Sequence, residues 1–371
     1  MAGGRPSHGA DWSSTLEAAA NAAYVINPRM LASENNTSDE SAELTLDGST
    51  TAQTERSQLT IIPRFDAVRF QHQTDLDRNT GSLDLAYVEK LERGQWSIEG
   101  VGLTDSTVTS ELGTTGVTYV NLRHTSGTVA LAYQYFATER LSWQLQGSGQ
   151  ITRYTDAAAF GLTNYDYGAL QFGPQWNFSE RVAGSFILEA DRLNPQAGTR
   201  QNDYSAYAQL QRNFSEKYAW RVAVGGSRTE YGGVSGSAGS NTTVRYELGA
   251  TRKGERVQWD LSVKRAVLPI GIGLLAPQTV AAFTMGIGIT ERTSLNVTAN
   301  GIRTDAVFIG PYAIYSGATW GTVSAQWRYQ LATHWTLSAS YSQGRTRVNP
   351  SPDWANGSQA QLAITWNSGR L

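Results

Sequence analysis

The chain has 371 residues, of which 17% are charged and none is cysteine, and its net charge is −2. This small net charge removes the phosphate attraction that drives nucleic-acid binding, so we expect no nucleic-acid partner. Without cysteine, the chain has no disulfide framework and no thiolate metal site.

The start of the chain, residues 1–11, lacks the apolar run of a secretory signal. No later apolar run approaches the roughly 18 residues that a transmembrane helix needs. We therefore expect residues 1–11 to be a flexible segment and residues 12–371 to form a single domain.

Apolar and polar residues alternate along most of the chain. In LSWQLQGSGQIT, from Leu141 to Thr152, every odd position is apolar or glycine and every even position is Ser, Gln or Thr. The segments VQWDLSVK, TSLNVTANG, WTLSASYS and AQLAITWN repeat this alternation further along. A period of two is typical of a β-strand whose two faces meet different surroundings. Helical periodicity is nearly absent, so the sequence predicts an all-β chain.

Short polar turns such as QTERS, ATERL, FSERV and FSEKY alternate with longer loops such as NPRMLASENNTSDES, TDAAAFGLTN and VNPSPDWANGS. Each interval of roughly forty residues holds two strands of about ten residues, a period that indicates a repeat architecture. A soluble propeller would need four short strands per repeat and WD or kelch signatures, which the sequence lacks.

Strands of this length, with short turns at one end and long loops at the other, are typical of bacterial outer-membrane barrels. We predict a transmembrane antiparallel up-and-down β-barrel of about 18 strands, with 16 as the alternative. Its short turns would be periplasmic and its longer loops extracellular. The predicted location is the outer membrane of a Gram-negative bacterium.

A barrel of this size encloses water, so polar residues can face inward while the apolar set faces lipid. The charges in the polar phase have both signs and predict no preference for anions or cations. The predicted lumen-lining residues are Gln144, Gln146, Gln150, Tyr167, Glu189, Asp191, Tyr207, Arg221, Arg245, Glu247, Asp260, Lys264 and Arg328.

Tryptophans cluster just after the short turns, in phase with the apolar residues. This placement favours an interfacial girdle, whose rings span the apolar and wet zones of the membrane. The aromatic core of a soluble sandwich is the alternative, but it would not require tryptophans beside the short turns. The predicted girdle, with outer-membrane lipid as its partner, consists of Trp96, Trp143, Trp220, Trp259 and Trp335.

Candidate catalytic residues are few. His124 and Ser126 stand two apart on one strand face, a spacing that some outer-membrane phospholipases use. Their flanking residues do not resemble those enzymes, and a loop histidine is the simpler interpretation. Asp105 and Glu111, expected in a loop, lack the histidine partner that an omptin-like site needs. We expect no enzyme activity, no metal site and no cofactor.

Three features together resemble a known family: NPRM after the first strand, the repeated TER, SER and SEK turns, and the loop DSTVTSELGTTG from Asp105 to Gly116. The set resembles a family of outer-membrane β-barrels found with exopolysaccharide synthesis and exosortase systems. The resemblance implies a polysaccharide cargo, with periplasmic polysaccharide-export and copolymerase proteins as partners. Such barrels commonly end on an aromatic residue, whereas this chain ends WNSGRL. Either Trp366 takes that role or the last residues are an added tail.

The resulting hypothesis is a passive, hydrated conduit that exports an exopolysaccharide or capsular polysaccharide. A general diffusion porin or small-solute channel would share the fold and the wall chemistry. A hydrolase using His124 and Ser126 is a third possibility. A porin would also need a loop folded inward, for which the longest candidates are Asn27 to Ser41 and Asp105 to Thr125.

Overall fold

The computed structural model describes residues 9–112, 114–115, 118, 120–232, 239–309, 312–349 and 351–369. Residues 1–8 of the expected flexible segment lie outside this range. Strands β1 to β15 are Asp11–Ile26, Ser38–Gln53, Ser57–Phe70, Arg78–Leu91, Gly94–Ser106, Arg123–Phe136, Leu141–Tyr154, Tyr165–Ser179, Val182–Pro195, Gln201–Asn213, Tyr218–Tyr231, Gly239–Lys253, Val257–Ile270, Leu274–Gly288 and Thr293–Thr304. Strands β16 to β20 are Val307–Ile309, Tyr312–Tyr315, Ala318–Ala332, Trp335–Val348 and Ala355–Asn367.

Eighteen of these strands form one closed sheet, and β16 and β17 form a separate hairpin. Neighbours in sequence pair antiparallel, and β15 pairs with β18 across the hairpin. The first and last strands are joined over the register Glu17↔Asn367 to Ile26↔Ser358. Closure gives each of the eighteen barrel strands two paired neighbours, as a lipid environment demands. The predicted up-and-down barrel is confirmed, with 18 strands rather than 16.

The barrel strands have 12 to 16 residues, so the predicted length of about ten was too short. Only about 9–11 residues of a tilted strand are needed to cross the hydrocarbon layer. The extra residues therefore extend the wall beyond the membrane.

The repeated TER, SER and SEK turns share one local mechanism. In each, the first residue's hydroxyl accepts a hydrogen bond from the backbone N–H two residues later, as Thr138 does from Arg140 at 3.2 Å. Ser179 and Arg181 repeat this contact at 3.3 Å. Such side-chain bonds stabilise tight turns, which explains why the motif recurs at one end of the barrel.

The inner face is identified by contacts between strands that are not neighbours. Arg245 on β12 reaches Glu189 on β9 with an N–O distance of 2.8 Å, and Gln361 on β20 reaches Glu43 on β2 at 3.2 Å. Only the concave side of a barrel brings such strands together. Many residues of the opposite phase, such as Leu145, are large, apolar and exposed. A mainly apolar exterior of this kind is what a membrane covers.

The long loops hold short helical turns at Ala32–Glu34, Thr74–Leu76 and Ala157–Phe160, and one α-helical turn, α1, at Thr107–Ser110. Across the part of the chain that is described, no helix has the length and apolarity needed to traverse a membrane.

Candidate functional site: the lumen wall and its mouth

The strand registers place every predicted lumen residue on the inward face. Gln144 bonds to Gln175 on the next strand, and Gln150 bonds to Thr152 at 3.2 Å. Gln146 lies in the same phase and is exposed to the lumen. The same registers carry this face through Tyr167, Glu189, Asp191, Tyr207, Arg221, Arg245, Glu247, Asp260, Lys264 and Arg328. That these residues contact a passing solute stays a prediction.

Seven of the predicted residues lie on the wall segment from β8 to β12. Arg245 is the central group of a charged cluster there. Its guanidinium pairs with Glu189 at 2.8 Å and donates to Ser205 at 2.8 Å. It also lies over the Tyr207 ring, 4.2 Å from the ring centroid. Charge, hydrogen bonding and cation–π attraction together fix this side chain in the wall.

Two carboxylates face each other beside Arg245. Asp191 and Asp203 are register partners on β9 and β10, and both are buried. Thr229 donates to Asp203 at 2.6 Å, whereas one carboxylate oxygen of Asp191 has no hydrogen-bond partner. Like charges directly opposite each other destabilise a sheet, so the nearby guanidinium offsets their repulsion. Asp203 and Ser205 were missed, although both lie in phase with Tyr207.

The remaining predicted charges are more dispersed. Arg221 pairs with Glu247 at 2.5 Å, and Glu247 lies opposite Lys264 in the register. Asp260 lies opposite Thr284 and Arg328 opposite Ser294. Arg328 contacts Gln326 at 2.9 Å, remote from the Arg245 cluster. The wall is therefore a distributed polar surface with one dense charged cluster.

The balance of charge on the inward face bears on ion preference, which the sequence left open. On the inward face of the described strands, acidic residues outnumber basic ones. The basic residues are Arg64, Arg78, Lys90, Arg221, Arg245, Lys253, Lys264 and Arg328. The acidic residues are Asp11, Glu17, Asp39, Glu43, Asp47, Asp66, Asp84, Glu99, Asp105, Glu189, Asp191, Asp203, Glu247 and Asp260. A wall of net negative charge favours cations over anions.

The β5–β6 loop bridges the mouth at the long-loop end. Its Glu111 carboxylate is buried and accepts hydrogen bonds from Tyr154 at 2.6 Å and Thr115 at 2.7 Å. Farther along, the Thr114 carbonyl accepts a hydrogen bond from Tyr315 on β17. Burial, with Glu111 nearby, raises the pKa of Tyr315, so its hydroxyl stays protonated and able to donate. One of the two predicted inward loops therefore does reach across the opening.

The other predicted loop, Asn27 to Ser41, joins the network at the rim. Arg29 pairs with Glu34 at 3.3 Å and also with Asp75 of the β3–β4 loop. The Arg29 carbonyl accepts a hydrogen bond from Thr118 at 2.7 Å. Three long loops are therefore connected to one another.

The tip of the β13–β14 hairpin also folds over the lumen, which was not predicted. β12 pairs with β13 only as far as Arg265. Beyond it, Gln201 of β10 donates to the Gly273 carbonyl at 2.9 Å and accepts from the Leu275 N–H at 2.7 Å. Leu275 is completely buried, and Ile270 nearly so. Burying such a side chain stabilises the fold by roughly 1.5–3 kcal/mol, so the hairpin is a firmly held part of the mouth.

His124 lies in strand β6 and contacts Asp105. The expectations of a loop histidine and of an Asp105 without a histidine partner were therefore wrong. The two residues lie opposite each other on β6 and β5, with 2.5 Å between His124 Nδ1 and Asp105 Oδ1. The imidazole also packs on Tyr154, with ring centroids 5.0 Å apart. Ser126 shares the inward face, but no hydrogen bond joins it to His124 among the described residues. The hydrolase hypothesis therefore lacks the contact that activates a serine.

The five girdle tryptophans project from the outer face beside the short turns. Trp143 stacks on Phe172 of β8 at 5.4 Å between centroids, and Trp96 donates to Glu89 at 3.1 Å. Trp220, Trp259 and Trp335 lie at matching positions one to three residues into β11, β13 and β19. Their contact with lipid stays a prediction. In the described part of the chain, no group of His, Asp or Glu side chains could hold a metal ion.

No family model and no curated protein matches the chain. Its fold is similar to the FrpB iron transporter from Neisseria meningitidis (F5-1 variant), with a TM-score of 0.50 and 9% identity over 93% of this chain and 64% of that one. Pseudomonas aeruginosa OccK2 (OpdF) matches with a TM-score of 0.49 and 12% identity, over 96% and 98% of the two chains. Acinetobacter baumannii OccAB4 matches with a TM-score of 0.45 and 10% identity, over 99% of this chain and 100% of that one.

The chain thus spans 64% of the length of the FrpB transporter, and that likeness bears on the fold alone. A closed sheet with an apolar exterior and a polar interior defines the class of the protein. It is an integral β-barrel of the outer membrane of a Gram-negative bacterium.

Proposed function

We propose that the protein is a passive conduit through which polar, hydroxyl-rich solutes cross the outer membrane. The observation that carries this proposal is the chemistry of the inward face, where amides and hydroxyls outnumber charges on most strands. Such groups offer many weak, exchangeable hydrogen bonds to a sugar and no single trapping site. Representative members are Gln144, Gln146, Gln150, Gln171, Gln209, Asn296, Gln326 and Gln361.

The cargo that we propose first is a polysaccharide leaving the cell, as the family resemblance implies. The acidic excess of the lumen would favour neutral or positively charged chains over polyanions. Directionality would come from synthesis, or from periplasmic export and copolymerase proteins acting at the short-turn end. The loops over the mouth would have to move aside for a polymer to leave.

A porin for small solutes is the second candidate, and one observation favours it. The β5–β6 loop and the β13–β14 hairpin narrow the mouth in a way that suits selection of small molecules. Liposome swelling and deletion of the gene together separate the two candidates. A porin admits small sugars at high rate, and deleting its gene leaves surface polysaccharide unchanged. An exporter requires that the same deletion remove the polysaccharide from the surface.

Planar-bilayer recording tests the conduit itself. We expect the wild-type channel to prefer K⁺ over Cl⁻ in a salt gradient, and a neutral dextran oligosaccharide to reduce its current reversibly. A Gln146→Leu variant should weaken the sugar block, whereas the outward variant Leu145→Val should leave it unchanged. Anion preference, or sugar block that is identical in both variants, would contradict the proposal.

A further inference from the structure

The outer face near the long loops carries arginines where the rest of that face carries apolar residues. Arg265 on β13, Arg303 on β15 and Arg347 on β19 occupy one row of the register, separated by Thr279 and Thr319. Neighbouring strands lie about 4.8 Å apart, so this row extends roughly 19 Å around the barrel. Arg345 lies one row closer to the membrane centre, opposite Gly321. We call Arg265, Arg303, Arg345 and Arg347 the arginine patch.

The patch has an excess of positive charge. Asp305 is its one carboxylate partner in the described chain, at 2.5 Å from Arg265 and 3.1 Å from Arg303. The guanidinium carbons of Arg345 and Arg347 instead lie 4.3 Å and 4.8 Å from the centroid of the Trp354 ring. Arg347 Nε has no hydrogen-bond partner. The indole holds two cations in place without neutralising them.

Two other outward arginines at this end have partners. Arg153 pairs with Asp166 at 2.7 Å, and Arg69 donates to the backbone carbonyls of Val68 and Arg78 at 2.8 Å and 3.0 Å. The arginine patch differs from these two sites because Arg345 and Arg347 share one aromatic ring and have no carboxylate partner in the described part of the chain.

A trough of small residues lies directly below the patch. The row next to Arg345 reads Gly321, Gly301 and Ala281, and Phe283 borders it below. Their absent or short side chains leave a depression of about 510 Å³ on the outer face, with Trp354 at its upper edge. The depression lies on the apolar outer face, which a membrane would cover.

We propose that the arginine patch and this trough bind a phosphorylated, acylated lipid of the outer leaflet. Guanidinium groups bind phosphate through paired, charge-assisted hydrogen bonds, which suits Arg303, Arg345 and Arg347 to the headgroup. An acyl chain of the same molecule fills the trough. The charge faces the long-loop side, so the recognised lipid belongs to the extracellular leaflet. This site is independent of any cargo in the lumen.

The test is a binding titration of the purified full-length barrel in neutral detergent, with diphosphoryl lipid A as the probe. The Arg345→Gln/Arg347→Gln double variant should bind about tenfold more weakly, because a loss of one charge-assisted contact is worth at least that factor. Arg153→Gln, at the paired arginine elsewhere on the rim, is the matched control and should stay within about twofold of the wild type. Dephosphorylated lipid A should bind the wild-type barrel no more tightly than diphosphoryl lipid A binds the double variant.

The trough is tested by Gly301→Val and Gly321→Val. An added Cβ would lie 3.6 Å and 3.5 Å from the nearest backbone oxygens, an ordinary contact, so the fold should tolerate both changes. Each should weaken lipid binding and leave competition by inorganic phosphate unchanged. Arg303→Gln, with a side chain 73% exposed, gives a second charge variant if the double variant fails to fold.

Three outcomes would overturn the proposal. The first is equal weakening by the control Arg153→Gln, which would indicate a diffuse cationic rim. The second is competition by millimolar inorganic phosphate together with unchanged binding in the glycine variants, which would indicate a simple anion site. The third is unchanged affinity in both charge variants.

Discussion

Removing the Arg245 guanidinium would test the charged cluster of the wall. Arg245→Met keeps much of the side-chain volume but leaves Glu189, Asp191 and Asp203 without their cation. Both members of the Arg245–Glu189 pair are at most 10% exposed, so solvent cannot screen the loss. Breaking a buried ion pair from one side costs roughly 3–5 kcal/mol, and the contact with Tyr207 adds up to about 1 kcal/mol.

We therefore expect the free energy of unfolding to fall by about 4 kcal/mol, measured by urea titration of the barrel in detergent. Arg328→Met is the matched control, because that guanidinium is exposed in the lumen and bonded only to Gln326 among the described residues. It should cost less than about 0.5 kcal/mol. Adding Glu189→Gln to Arg245→Met should recover part of the loss, since it removes one uncompensated charge. Equal costs for Arg245→Met and Arg328→Met would refute this explanation of the cluster.

Three further changes probe the wall and the mouth. Gly225→Ala would place a Cβ 2.1 Å from the Ala206 carbonyl oxygen. It should lower the free energy of unfolding by about 1–3 kcal/mol in the urea titration. The control Gly127→Ala has open space around its Cβ and should be neutral. Leu275→Ala empties a completely buried position in the hairpin over the mouth and should cost about 2–5 kcal/mol in the same assay; a neutral result would contradict the packing of that hairpin. Glu111→Ala removes the carboxylate that anchors the β5–β6 loop over the mouth. It should raise the single-channel conductance in planar bilayers. An unchanged conductance would show that this loop does not narrow the path.

The barrel was predictable because its physics is local. Between Leu141 and Thr152, the odd or even position of a residue in the strand is enough to predict whether its side chain faces lipid or water. The hydroxyl of each TER-type turn bonds within two residues, so the turn pattern is also readable from short stretches. Eighteen repetitions of these local rules determine the strand count and the face of every predicted lumen residue.

The mouth was harder to predict because it depends on contacts between distant segments. After Arg265 the alternation fails, and AVLPIGIGLLAPQ is apolar in both phases, which is a signal of burial on both sides. That signal could have excluded this segment from the membrane-spanning wall. The position of this segment over the lumen could not be predicted, because it depends on a hydrogen bond between Gly273 and Gln201, more than seventy residues earlier.

The charge pairs were missed for a related reason. Asp105 seemed to belong to a polar loop, yet it lies in the last part of β5, opposite His124. Which residues face each other across two strands depends on the register, and composition does not encode it. The acidic excess of the lumen likewise emerges only when the phase of every strand is known.

Paired cysteine labelling tests the central claim most directly, because the natural chain contains no cysteine. In barrels reconstituted into lipid vesicles, a membrane-impermeant thiol reagent should modify Gln146→Cys, whose side chain meets lumen water. The same reagent should leave Leu145→Cys unmodified, because that position faces hydrocarbon. Labelling of Leu145→Cys with protection of Gln146→Cys would reverse the assignment of the two faces and contradict a wet lumen inside an apolar wall.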